Sequence, residues 1–295
     1  MEARGGAAGA LARRLRDFAE LVKFSHTVFL FPFALAALVL AARERPLQWS
    51  TLGWVVVALV AARSAAMIMN RIADHRFDAA NPRTAGRPLV TGRVSRTLAW
   101  VWLVLACALF LAAAWFINPL CFKLAPLALA WVLGYSFSKR FTALCHLWLG
   151  AATALAPLGA WLAVTGSWDW RVLVLALAVA LWVAGFDIIY ACQDIDFDRD
   201  QGLNSLPARL GLSGGLWVSR GLHLLALAGF WALGPLFHLG RLYDLGFVLV
   251  ALALVVEQAL VAIKRANIPM AFFTVNGVVS IMFFGFVLAD RLVGA

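Results

Sequence analysis

Charge is scarce in this chain. Only 14% of its 295 residues are charged, whereas 63% are hydrophobic, and the mean hydropathy is +0.87. A soluble globular domain carries about 25% charged residues, so this composition excludes one and indicates a polytopic membrane protein. Because the hydrophobic runs follow one another closely, no segment is left for a soluble domain. We expect one membrane-embedded domain over 1–295, with 1–20 as an N-terminal segment in the cytoplasm.

Soft metal ligands are also scarce. The four cysteines are scattered, and no pair has the spacing of a metal or redox site. We expect them to be small core residues. The N-terminus has arginines but lacks the apolar core and cleavage site of a signal peptide, so the first apolar run is expected to remain in place as a helix.

Nine apolar runs approach the length of about 20 residues that a membrane-crossing helix needs. The fold is therefore predicted to be all-α, a polytopic membrane bundle of nine transmembrane helices. The predicted spans are 24–42, 51–69, 97–117, 121–138, 143–164, 171–191, 221–239, 243–263 and 270–290.

Lys and Arg are distributed unequally between the two ends of these helices. Eighteen of the 25 lie on the side that holds the N-terminus and the loop near 70–96, and six lie on the other side. The positive-inside rule makes the first side cytoplasmic, in the inner (plasma) membrane. The net charge of +10 is then explained by topology and by an anionic ligand, without nucleic acid, and no protein partner is predicted.

Two acidic clusters interrupt the apolar pattern, both on the predicted cytoplasmic side. They contain Asn70, Asp74 and Asp78 in the first cluster, and Asp187, Tyr190, Asp194 and Asp198 in the second. Residues four apart share a helix face, so each cluster points in one direction. Solvated loop charges that pair with nearby arginines are the alternative. The repeated spacing on one side of the membrane favours a site instead.

These side chains favour Mg²⁺ and a phosphorylated ligand. They offer oxygen ligands without His or Cys, which suits a hard cation that also binds substrate phosphates. Four carboxylates balance about two Mg²⁺ ions, and nearby basic residues can oppose a diphosphate. Lys139 and Arg140 lie at the same level, where they are either a phosphate clamp or ordinary cytoplasmic anchors.

Several segments resemble the UbiA superfamily of intramembrane prenyltransferases, over nearly the whole chain. NRIADHRFD (70–78) with NPRTAGRPL (81–89), and DIIYACQDIDFDRD (187–200), resemble its two aspartate-rich motifs. YSFSKRFT (135–142) resembles its short basic motif. Within the superfamily the chain is most similar to 4-hydroxybenzoate polyprenyltransferases, including relatives in the futalosine menaquinone route.

The resemblance implies transfer of a polyprenyl group from a diphosphate to an aromatic acceptor in quinone biosynthesis. Asp74, Asp78, Asp194 and Asp198 would hold Mg²⁺ that bridges the diphosphate, with Asn70 assisting. The residues that would neutralise the leaving diphosphate are Arg76, Arg87, Lys139 and Arg140. Asp187 would orient the acceptor or the metal, Tyr190 would contact substrate, and Arg140 is the first candidate for an acceptor carboxylate.

Other functions remain open at this level. A secondary transporter also places charge within the membrane, and Asp74 and Asp194 are separated by the same 120 residues as Asp78 and Asp198, which is compatible with an internal repeat. However, both clusters lie at helix ends, whereas transporter sites lie near the midplane. A nonenzymatic lipid-binding scaffold, or an enzyme of the same type that uses dihydroxynaphthoate or homogentisate, are the further alternatives.

Overall fold

The computed structural model describes residues 16–22, 29–264 and 267–294. These residues form helices and connecting turns, with no β-strand among them. The helices are α1 (Phe31–Ala41), α2 (Trp49–Ala73), α3 (His75–Ala80), α4 (Arg96–Ile117), α5 (Pro119–Gly134), α6 (Cys145–Thr165), α7 (Trp170–Ala191), α8 (Ile195–Asp200), α9 (Leu206–Leu236), α10 (Arg241–Ile263) and α11 (Ile268–Val293).

Eight helices of the described chain are long and apolar enough to cross a membrane, and α1 is a shorter apolar helix. Together they match the predicted spans one for one, so the prediction of an all-α bundle with nine spans is confirmed. The predicted start of the first span, at 24, and most of the segment 1–20 lie outside the described residues.

The boundary of the predicted seventh span differs most from the observed helix. We predicted 221–239, but α9 begins at Leu206, where the Ser205 side chain accepts a hydrogen bond from Ala208 N at 3.2 Å. This N-cap starts the helix well before its apolar part, because capping does not depend on hydropathy. Gly211 interrupts the helical backbone with φ = 73°, a conformation that glycine adopts without a steric cost.

The core surrounds α7, which is the most buried of the long helices: 67% of its most apolar stretch is buried inside the protein. Helices α6 and α9 pack along it, and α2 packs against α4 beside them. Aromatic rings fill the space between α1, α7, α9 and α11: Phe33 lies 4.9 Å from Trp182, 5.7 Å from Phe230 and 4.8 Å from Phe283, measured between ring centroids.

Short helices follow both α2 and α7 at the same end of the bundle. A single residue, Asp74, separates α2 from α3, and a 3₁₀ turn over Cys192–Asp194 separates α7 from α8. Between α5 and α6, a second 3₁₀ segment covers Tyr135–Arg140. These three breaks place polar residues around one cavity.

Candidate active site

The cavity has a volume of about 160 Å³ and lies among the ends of α2, α5 and α7. Nine of the eleven residues singled out from the sequence line it: Asn70, Asp74, Asp78, Arg87, Lys139, Asp187, Tyr190, Asp194 and Asp198. The two others do not. Arg76 is exposed on α3, and Arg140, which donates to the carbonyl of Ala73 at 2.6 Å, is not among the residues that line the cavity.

Four aspartates of the two clusters, Asp74, Asp78, Asp194 and Asp198, each lie within 4.0 Å of an Arg or Lys side chain. Arg87 donates to Asp78 at 2.5 Å, and Lys139 donates to both oxygens of Asp198 at 3.0 and 3.2 Å. Asp198 is 1% exposed, so water can stabilise little of its charge. The aspartates are therefore neutralised by cations of the chain itself.

Asp74 has the weakest cationic partner of the four. Asn70 donates to it at 2.8 Å, but the guanidinium of Arg140 is 3.5 Å away. Burial, together with the neighbouring charge of Asp78, raises the pKa of Asp74 above its ordinary value. The negative charge of Asp78 would favour a cation at this position.

Arg83 joins the two clusters, and sequence reasoning gave it no role. Its Nε and one terminal nitrogen donate to Asp194 at 3.1 and 2.5 Å, and the other terminal nitrogen donates to the Tyr190 hydroxyl at 2.8 Å. Asn81 adds a bond to Asp194 at 3.3 Å. The only signal in the sequence is that Arg83 precedes Arg87 by one helical turn in a loop rich in arginine.

Two further polar residues were also missed. His146 is fully buried beside Asp187, with Nδ1 2.7 Å from the carboxylate. Arg63 lies two helical turns from Asn70 along α2, and its Nε is buried without a hydrogen-bond partner. Arg63 had been noted only as a charge within a span.

The donor set fits Mg²⁺ in its chemistry. Within the described residues, no three acidic, His or Cys side chains converge as a ready metal cluster, because basic side chains separate the carboxylates. All four carboxylates are nevertheless hard oxygen donors around one cavity, and each cation beside them binds phosphate equally well. Residues that pair with each other here can pair with a metal and a diphosphate when these enter together.

Ionisable residues gathered around a cavity in a helical membrane bundle mark a functional site, and the cations beside the aspartates suit an anionic substrate. The model of the UbiA prenyltransferase family matches residues 30–287. A 4-hydroxybenzoate octaprenyltransferase from Vibrio campbellii is 33% identical over 247 residues, which cover 83% of this chain and 86% of that protein. The chain therefore belongs to the UbiA prenyltransferase family and is a membrane-embedded prenyltransferase.

Solved structures agree with this assignment. A UbiA homolog from Aeropyrum pernix, solved in the apo form, has a TM-score of 0.83 and 37% identity, and the match covers 90% of this chain and 98% of that one. A UbiA homolog from Archaeoglobus fulgidus, solved with GPP and Mg²⁺ bound, has the same fold, with a TM-score of 0.73, 19% identity and coverage of 94% and 99%. The family and its named relatives favour a prenyltransferase over the transporter and scaffold alternatives.

Proposed function

We propose that the protein transfers a polyprenyl group from polyprenyl diphosphate to an aromatic hydroxy acid, in a Mg²⁺-dependent reaction of quinone biosynthesis. The acceptor is 4-hydroxybenzoate or a related hydroxy-aryl acid. The arrangement that supports this most is the set of carboxylate–cation pairs around the cavity, since it offers separate partners for a metal and for a diphosphate. The name of the Vibrio campbellii relative supports 4-hydroxybenzoate as the acceptor, and the neighbour solved with GPP and Mg²⁺ supports a prenyl diphosphate donor and the metal.

The residues divide into two groups when the substrate binds. Asp74, Asp78, Asp194 and Asp198 hold the metal, and Asn70 supports Asp74. The cations released from the carboxylates are Arg83, Arg87 and Lys139, and they bind the diphosphate oxygens. Bound Mg²⁺ would stabilise the negative charge that develops on the leaving diphosphate.

The acceptor carboxylate has a better candidate partner than Arg140. Arg140 is already bonded to the Ala73 carbonyl and stacks over the Phe137 ring at 5.1 Å. Arg63 lies seven residues before Asn70, about 10 Å deeper along the helix, with Nε buried and unpartnered. Arg63 does not line the cavity, but a buried N–H without an acceptor is costly, so an anionic acceptor that reached this Nε from the membrane would stabilise it.

The enzyme assignment is tested directly. Purified protein with Mg²⁺ and polyprenyl diphosphate should prenylate 4-hydroxybenzoate and release diphosphate, and dihydroxynaphthoate and homogentisate are compared as acceptors. Asp74→Asn and Asp194→Asn are expected to lower kcat/KM by about 100-fold or more. Asp196→Asn is the matched control, because Asp196 is exposed on the outer face of α8. Full activity in Asp74→Asn or Asp194→Asn would contradict the metal assignment.

The proposed orientation, with the site facing the cytoplasm of the inner membrane, rests on the 18-to-6 distribution of basic residues. Ala79→Cys and Ala42→Cys place exposed thiols at the site end and the opposite end of the bundle. In intact cells, a membrane-impermeant maleimide should label Ala42→Cys above the background of the parent protein and should leave Ala79→Cys unlabelled. The reverse result would invert the topology.

A further inference from the structure

A second and larger cavity lies at the end of the bundle opposite the active site. It has a volume of about 310 Å³ and is bordered by the turn after α1, the turn between α9 and α10, and the last turn of α11. Arg43, Arg241 and Arg291 line it, and they are three of the six basic residues predicted for this side of the membrane. Since membrane proteins place few basic residues on the outer side, their convergence at one cavity indicates a binding site for an anion.

The chain itself compensates these three arginines only in part. Within the described ranges, none of them lies within 4.0 Å of a carboxylate oxygen. Arg43 donates to the carbonyl of Gly294 at 3.3 Å and Arg291 donates to the carbonyl of Phe237, but the side chain of Arg241 has no hydrogen-bond partner among the residues that the structure describes. Arg43 and Arg291 also lie within electrostatic range of each other, so an anion in the cavity would reduce their repulsion.

Acidic side chains near the cavity do not remove this excess of positive charge. Asp290 lines the cavity, but its carboxylate accepts hydrogen bonds from Gly240 N at 2.9 and 3.0 Å and from Tyr243 N at 3.2 Å, at the N-terminus of α10. Asp244 does not line the cavity. Three arginines against one carboxylate leave two positive charges among the lining residues, with His238 counted as neutral.

The surface beside the cavity is apolar, which favours a lipid over a soluble anion. Leu245, Val248 and Leu252 follow Arg241 on the same face of α10, and they are 52%, 50% and 55% exposed. On a membrane-spanning helix such side chains contact acyl chains, whereas an arginine at the helix end lies at the level of the lipid headgroups. A phospholipid can therefore place its phosphate at Arg241 and an acyl chain along this face.

We propose that this cavity binds the phosphate group of an anionic phospholipid from the leaflet opposite the active site. Arg241 and Arg291 donate to the phosphate oxygens, as guanidinium groups do with two parallel N–H donors, and Arg43 adds a third positive charge. The site is separate from the prenyl-transfer site, so it does not depend on the proposed function. Free inorganic phosphate offers the same chemistry, and the experiment distinguishes the two sources.

The test compares lipids on the full-length protein, purified in detergent and stripped of bound lipid. Phosphatidylglycerol is expected to raise the Tm by about 3 °C or more near saturation, whereas zwitterionic phosphatidylcholine and inorganic phosphate should raise it by about 1 °C or less. Titration of the Tm gives an apparent dissociation constant for phosphatidylglycerol.

Arg241→Gln tests the location of the site, since the Arg241 side chain has no polar partner among the described residues that the substitution would remove. It is expected to raise the apparent dissociation constant for phosphatidylglycerol about tenfold. Arg45→Gln is the matched control, because Arg45 is exposed at the same end of the bundle but does not line the cavity. It lowers the net charge by the same amount and should bind the lipid as the wild type does.

Unchanged affinity in both variants, or an equal loss in both, would mean a general attraction to a positive surface and would overturn the site. Equal Tm rises with phosphatidylglycerol and phosphatidylcholine would overturn the selection of an anionic headgroup. A rise with inorganic phosphate that equals the rise with phosphatidylglycerol, and that Arg241→Gln removes, would overturn the lipid assignment in favour of a soluble phosphate. None of these measurements uses catalysis, so each outcome leaves the proposed function to its own test.

Discussion

Arg83 is the side chain that holds the two halves of the site together. Two of its nitrogens donate to Asp194 and the third donates to the Tyr190 hydroxyl. Its guanidinium carbon lies 5.2 Å from the centroid of the Tyr190 ring. A lysine ammonium cannot reproduce this planar arrangement of N–H donors. Arg83→Lys is therefore expected to raise the KM for polyprenyl diphosphate by about 10-fold or more, measured by initial rates. Arg199→Lys, an exposed arginine of α8, serves as the control; similar KM values in both variants would show that Arg83 has no special role.

Lys139 compensates the most buried carboxylate of the site. Its ammonium is the one basic group within 4.0 Å of Asp198 in the described chain. Lys139→Met should leave Asp198 buried without a partner and lower the Tm of the ligand-free protein by roughly 3–5 °C. Mg²⁺ with diphosphate would replace the lost cation, so the added ligands should raise the Tm of the variant more than that of the wild type. An equal rise in both proteins would contradict this exchange of partners.

At the level of single residues, the sequence predicted the acids better than their partners. The spacing of four identified Asp74, Asp78, Asp194 and Asp198 because helical periodicity is local. Arg83 and His146 were missed because they meet their aspartates across 111 and 41 residues of chain, which only the packing of the helices determines. Arg76 was selected for its place in the motif, yet α3 directs it to solvent.

Helix α7, which carries Asp187 and Tyr190, is positioned by close contact with α6. A Cβ atom added at Gly150 would overlap the backbone oxygen of Ala180, so the two helices approach each other where glycine removes the side chain. Small residues allow such approach in membrane bundles. Gly150→Val should destabilise the protein by about 3 kcal/mol, visible as a lower Tm and a lower yield of monodisperse protein. Gly159→Val on the same helix has open space around its Cβ and should behave as wild type.

Element boundaries were predictable where hydropathy changes together with structure. The sequence analysis placed the start of α4 within one residue, since Ser95 caps it just where the apolar run begins. The sequence analysis placed the start of α9 too late, because the first turns of that helix are polar and glycine-rich and precede its apolar part. The 3₁₀ segments that place Lys139 and Asp194 have no periodic signal of their own, and they arise where the chain leaves the bundle.

The architecture of the whole molecule followed from composition to a large extent. Spans of about 20 apolar residues specify membrane helices directly, and both acidic clusters were assigned to one end of the bundle by counting alternate loops. Span length and loop charge do not determine how the helices surround α7, since lipid-facing and core-facing residues are equally apolar here. Exposed Leu and Trp side chains are frequent on α4 and α9 for that reason.

In the ligand-free site Asp78, Asp194 and Asp198 are each paired with a cation of the chain, and this gives the molecule a characteristic response to its ligands. Mg²⁺ alone must compete with Arg83, Arg87 and Lys139 for the aspartates, and diphosphate alone must compete with the aspartates for the same cations. When Mg²⁺ and diphosphate bind together, the metal pairs with the aspartates and the diphosphate pairs with the cations.

We therefore expect a Tm rise with Mg²⁺ and diphosphate combined that exceeds the sum of the separate rises. At 100 times the dissociation constant, the combined ligand contributes about 2.7 kcal/mol. Differential scanning fluorimetry of the detergent-solubilised protein measures this, with chelation of Mg²⁺ by EDTA as the control. Additive rises would mean that metal and diphosphate bind independently, and the exchange of partners would then be wrong.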